Sequence, residues 1–260
     1  MLSILRKTLI PTVRISRSAS NLSGITFEEL TENRYEEVMD HLREVTYKDV
    51  PLYKAAGLVG EGRAPVELDN VYLNSIKEGV SMVALDKGKF AGVLINGILT
   101  PDAVPGAIEA MKASTNEIYK KMDYMFLKLL LDLDIFNRFG IDRAMECRLL
   151  STTREYRGSG LGRMLVDQIT TMARDLDYPI VFGEAVNDYL WKLLVSEGWI
   201  MLTEMPYSDY ISEATGKPLY KVDPPHHILG LCARIIDNRC KCKDPLPLPN
   251  IKLVYPIKMD

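Results

Sequence analysis

Gly158, Gly160 and Gly162, each two residues from the next, constrain this chain more than any other feature. They follow a short run from Ala144 to Ser151 that reads as a strand. They precede a stretch in which Leu161, Met164, Leu165, Ile169, Met172, Ala173 and Leu176 recur at helical spacing. A strand, a glycine turn and a helix together make a phosphate site. The first N–H groups of a helix lack internal partners, and the helix dipole favours an anion there. Glycine lets the backbone take positive φ and come close to the ligand. Arg157 adds a fixed charge with forked donor geometry.

Two common phosphate motifs do not fit. A P-loop needs a lysine and a serine or threonine after its second glycine, and none stands here. A dinucleotide fingerprint needs glycine where Arg163 stands.

Around the turn the pattern is mixed. Residues 25–30 alternate as a first strand. Tyr35, Val38, Met39, Leu42 and Val45 form one helical face, and Pro51 closes that helix. A helix is expected from Pro65 to Lys77, a hairpin from 81–86 and 90–99, then helices over 105–120 and 123–138. Strand 180–185, helix 188–199 and strand 200–205 follow the glycine helix. Residues 226–236 suit either a strand or a helix, and 237–260 read as an extended, proline- and charge-rich tail. No internal repeat is present.

The 260 residues suffice for a full core, and the net charge of −3 gives no nucleic-acid footprint. No apolar run reaches the roughly 18 residues of a membrane span. Residues 1–24 hold Arg6, Lys7, Arg14 and Arg17, five serines and no acid. That composition resembles a mitochondrial presequence, with a plain basic tail as the alternative. Cys240 and Cys242 are too close for a zinc knuckle, so no metal is expected and the cysteines read as reduced thiols. A cytoplasmic or mitochondrial-matrix location follows, not a secreted one.

Arg157, Gly158, Ser159, Gly160, Leu161 and Gly162 resemble the acetyl-CoA pyrophosphate loop of the GNAT superfamily of N-acetyltransferases. In that pattern an asparagine follows the next strand and a Gly-aromatic pair ends the next helix. Asn187 and Gly198–Trp199 stand there. Asp49 to Leu52, Arg148 to Ser151 before Tyr156, Tyr189, Tyr207 to Tyr210 and Pro225–His226 are similar to the insect-type arylalkylamine branch. The likeness spans about residues 25–236, strongest at the glycine loop. Where that branch has a glutamate and two serines, this chain has Val50, Val186 and Leu190. The tyrosine acid of many GNAT enzymes falls at Leu194.

The resemblance implies an α/β (α+β) GNAT fold: a mixed central sheet splayed between its fourth and fifth strands and flanked by helices. Residues 25–236 form that domain, 1–24 a basic extension and 237–260 a tail. It implies acetyl-CoA, with its pyrophosphate on the glycine loop, its pantetheine arm along Leu149, Leu150, Ser151 and Thr152, and Asn187 beside it. It implies transfer of an acetyl or short acyl group to a small primary amine, arylalkylamine- or polyamine-like. A protein N-acetyltransferase and a non-catalytic CoA-binding protein stay open, as does the oligomeric state.

An alkylamine with a pKa of about 10 is only about one part in a thousand neutral at pH 7, so a base must take its proton. Glu146 occupies the position at which other GNAT members place a base. Asp49 beside Val50 and the near-neutral His226 are further candidates. Strand alternation sets Glu146, Arg148 and Leu150 on one face. Tyr189 and Trp191 suit an aromatic amine pocket, and Glu184 and Asp188 suit a cationic acceptor.

Overall fold

The computed structural model describes residues 22–59, 66–237, 239–240 and 251–256. All but the last three residues of the basic extension lie outside them. The elements, in chain order, are β1 (Ile25–Glu29), α1 (Tyr35–His41), α2 (Tyr47–Asp49), α3 (Pro51–Ala56) and α4 (Val66–Lys77). There follow β2 (Met82–Asp86), β3 (Lys89–Leu99), α5 (Ala103–Ala113), α6 (Glu117–Leu133), α7 (Ile135–Phe139) and β4 (Ala144–Thr152). The chain continues through α8 (Leu161–Asp175), β5 (Ile180–Ala185), α9 (Asp188–Ser196), β6 (Ile200–Pro206) and β7 (Tyr210–Ser212). It closes with β8 (Ile228–Ile235) and β9 (Leu253–Tyr255). A π-helical turn, Leu42–Thr46, links α1 to α2.

Among the described residues, seven strands form one sheet in the order β1-β2-β3-β4-β5-β8-β6, antiparallel except where β4 meets β5. That parallel pairing lasts only from Met145–Val181 to Cys147–Gly183. β4 runs on to Thr152 along β3, while β5 turns to β8. The sheet therefore splays between its fourth and fifth strands, as the resemblance implies.

Helices cover both faces. α1, α3, α4, α5 and α6 pack on one, around Met39, Leu52, Tyr72, Met125 and Leu149. α8 and α9 pack on the other, where Leu161, Leu165, Val166, Ile169 and Met172 of α8 are buried. Those five side chains bring roughly 10 kcal/mol of transfer free energy as an upper bound.

Three stretches differ from the sequence reading. The first helix of the 105–138 region ends at Ala113, because Asn116 caps α6 by accepting from the Ile118 and Tyr119 N–H groups at 3.0 Å. Asp134, with φ 45°, then separates α6 from α7. The ambiguous 226–236 segment is strand β8. It is paired on both edges and buried, hence its continuous apolar run. The C-terminal stretch is less of a tail than its composition predicts: Leu253 is buried and β9 pairs in parallel with β7.

Candidate active site

A bulge shapes the centre of β4. Ile95 pairs with Leu149 while Asn96 pairs with Cys147, so Arg148 is an extra residue. The expected alternation breaks there. Arg148 stays on the α4 side with Glu146, joined by Leu149 and Ser151, while Cys147 and Leu150 face α8 and α9. Leu150 is thus not on the Glu146 face. The Arg148 guanidinium lies across Gly97 of β3, where any Cβ would collide with it. It donates to Glu146 at 2.8 Å, to Ser75 at 2.6 Å and to Glu78 at 3.2 Å.

A cavity of about 390 Å³ fills the splay, within the usual range for a small-molecule site. Cys147 to Leu150 of β4 form one wall, and Gly183, Glu184, Val186 and Asn187 the other. Tyr53, Tyr72 and Asp123 close it from the α3, α4 and α6 side, Leu190 and Leu194 from the α9 side. The cavity therefore takes lining from both faces of the sheet.

Its charged groups are carboxylates around one guanidinium. Glu184 is pushed up to about 8, chiefly by burial and then by the nearby Glu146 charge. Asp123 on α6 is raised to about 6 by burial, although a Tyr119 hydrogen bond pulls the other way. Glu146 is committed to Arg148, whereas Glu184 engages no hydrogen-bond donor among the described residues. Burial pushes the Cys147 thiol up to about 12.

Beyond β4 the glycine turn takes the anion-binding form. Gly158 and Gly160 have φ of 72° and 99°, conformations that resist a side chain. Ser159 Oγ donates to the Tyr156 carbonyl at 2.6 Å, bracing the turn, and α8 starts at Leu161. Gly162 already lies inside the helix with ordinary φ. Arg157 donates to Asp49 at 2.6 Å, and Arg154 holds the same carboxylate in a fork at 2.9 and 3.1 Å. Those contacts hold the Asp49 carboxyl below the usual range, which makes it a poor base.

The other candidates are dispersed. Leu149 and Leu150 line the cavity, and Ser151 and Thr152 continue the same strand. The Ser151 hydroxyl is turned away, bonded to His41 Nε2 at 2.9 Å and Thr46 Oγ1 at 2.7 Å. Asn187 lines the cavity, but its side chain caps α9 by accepting from the Leu190 N–H at 2.9 Å. Tyr189 is 67% exposed. It stands edge-on to His226, whose Nδ1 accepts from the Asp188 N–H at 3.3 Å. Neither ring is among the cavity's lining residues, and Trp191 donates instead to Glu204 at 3.0 Å. Sequence reasoning missed Asp123, Arg154 and His41. Asp123 had a signal: it is an acid on the apolar stripe of Tyr119, Met122, Phe126 and Leu130.

The chain matches no family model and no curated protein sequence. Among solved structures it is similar to arylalkylamine N-acetyltransferase 2 from Aedes aegypti. That match is 30% identical, spans 82% of this chain and 99% of that one, and has a TM-score of 0.77. The Drosophila melanogaster polyamine N-acetyltransferase, which catalyses the formation of N-acetylagmatine, shares the fold. It is 18% identical, spans 81% of this chain and 99% of its own, and has a TM-score of 0.73. A mosquito arylalkylamine N-acetyltransferase-like 5b protein, 20% identical, spans the same shares with the same TM-score.

Proposed function

This chain belongs to the arylalkylamine N-acetyltransferase family with the GNAT fold, and from that premise we propose that it transfers an acetyl group from acetyl-CoA to a small primary amine. The observation carrying this reading is the splayed cavity, which the carboxylates of Asp123, Glu146 and Glu184 line and whose β4 wall runs on in the chain to the glycine turn. The acceptor class is arylalkylamine- or polyamine-like. An ammonium group is drawn to Asp123, and to Glu184 in its carboxylate form, and the apolar walls take its carbon frame.

The residues present fit the cofactor. The N–H groups at the Gly158–Gly162 turn and α8 start, with Arg157, would hold the diphosphate. The edge of β4 from Leu149 to Thr152, which β5 leaves unpaired, would take the extended arm. Acetyl-CoA, when bound, supplies an activated acyl carbon and a thiol that leaves readily, its pKa being about 8.5. An N–H on the open β4 edge would steady the carbonyl oxygen as charge develops. Leu194 offers no proton, so the sulfur would depart as thiolate and take its proton afterwards.

In this scheme Asp49 serves as an anchor for Arg154 and Arg157, and His226 as a support for the start of α9. Glu146 fixes Arg148, which sets the charge of the acceptor wall. Val50, Val186 and Leu190 all line the cavity, with apolar side chains where the arylalkylamine branch has a glutamate and two serines. That observation keeps a non-catalytic CoA-binding protein as the second reading.

The test is free-thiol release from acetyl-CoA with tyramine, dopamine, serotonin, agmatine and spermidine, and with peptides as comparison. Release with the small amines is the expected result. Release with peptides alone points to protein acetylation, and binding without release supports the second reading.

A further inference from the structure

We infer that Glu184 is the residue that takes the acceptor's proton. This deepens the acetyl-transfer reading and rests on it. Where the arylalkylamine branch has a glutamate and two serines, this chain has Val50, Val186 and Leu190, none of which can take a proton. Each sequence candidate is engaged elsewhere. Asp49 is held by two arginines, Glu146 by Arg148, and His226 lies outside the cavity lining.

Glu184 is placed differently. It follows Gly183, the last residue of β5 paired to β4, so it stands where the two strands part. Alternation sets it with Ile180 and Phe182 on the α4–α6 face of the sheet. It lines the cavity, and no donor among the described residues occupies its oxygens. Its electrostatic neighbours are Glu146 and Arg148 from β4, Asp123 from α6 and Tyr53 and Tyr72 from α3 and α4, with Cys147 of β4 and Cys232 of β8 across the sheet.

A carboxyl of ordinary acidity is a weak match for an ammonium of pKa about 10, and a raised one is a better base. Burial and the Glu146 charge raise its carboxyl above the ordinary range, so it becomes the carboxylate at higher pH than a free glutamate does. The overall change is R–NH3⁺ plus thioester giving amide, thiol and H⁺. The C–N bond forms, the C–S bond breaks and its electron pair stays on sulfur. Glu184 takes the first proton from nitrogen and returns it to water, while the second, lost as the adduct collapses, ends on sulfur.

The experiment pairs kinetics with a direct titration. In protein carrying ¹³C-carboxyl glutamate, one resonance is expected to titrate near 8 and to vanish in Glu184→Asp. In thiol-release assays kcat/KM of the wild type rises with pH to a break in that region. Glu184→Gln lowers kcat by about a hundredfold to a thousandfold and loses the break, while CoA affinity by calorimetry stays unchanged. Glu184→Asp restores part of the rate, and Glu146→Gln moves the break to lower pH without removing it. Three results overturn the inference: no glutamate carboxyl titrating above the ordinary range, Glu184→Gln retaining wild-type kcat, or Glu146→Gln abolishing the break. The first reading comes from wild-type protein and does not depend on any variant folding. A wild type that binds CoA but releases no thiol overturns the acetyl-transfer reading itself, and this assignment with it.

Discussion

The glycine turn presents main-chain groups from one continuous segment, whereas the splayed cavity gathers side chains from α6, β4 and β5. At the turn, two positive-φ glycines and a helix start suffice, and the required residues sit within a few positions of one another. Across the splay, Asp123, Glu146 and Glu184 meet only because the sheet opens there. A site built from backbone tolerates little change in sequence. A site built from separate side chains can exchange one carboxylate position for another, as our assignment of Glu184 requires in a chain that carries Val50.

Arg148→Ala breaks this contrast most strongly. It leaves Glu146 and Glu78 facing one another without their shared cation, at a cost of about 3 kcal/mol. A lower denaturant midpoint at unchanged slope is the expected readout. Arg157→Ala acts on the opposite half. Loss of a charge-assisted contact should weaken CoA binding about tenfold to a hundredfold by calorimetry, with the KM for amine unmoved. Gly160→Ala forces a side chain into φ 99° at a cost of about 1–2 kcal/mol, read as lower thermal stability and weaker CoA binding.

A pH-dependent effect concerns His41. Burial, reinforced by Arg157, lowers its pKa to about 4 from the ordinary 6.5. The unfolded chain therefore binds a proton over that interval while the folded one does not. Stability is complete above 6.5 and falls as pH drops toward 4. Tm should decline by about 5 °C more across that window in the wild type than in His41→Gln, measured by calorimetry.

The same division governs what the sequence revealed. The α8 stripe, the Gly158–Gly162 turn, the β2–β3 hairpin and the buried β5 were all readable, because local geometry imposes them on neighbouring residues. The break at Ser114–Asn116 was written in capping residues but outweighed by apolar periodicity on both sides. The bulge at Arg148 was not legible, since it depends on how β3 and β4 pair, and it moved Leu150 off the Glu146 face. Asp49 looked like a free acid beside a missing glutamate. Its two arginines lie far along the chain, and only the fold brings them to it.

Mass spectrometry of the acceptor tests the central claim most directly. A primary amine incubated with the protein and acetyl-CoA should gain one acetyl group for each thiol released, with the yield lost when acetyl-CoA is replaced by CoA. An acceptor that stays unmodified while the protein demonstrably holds acetyl-CoA would contradict the account.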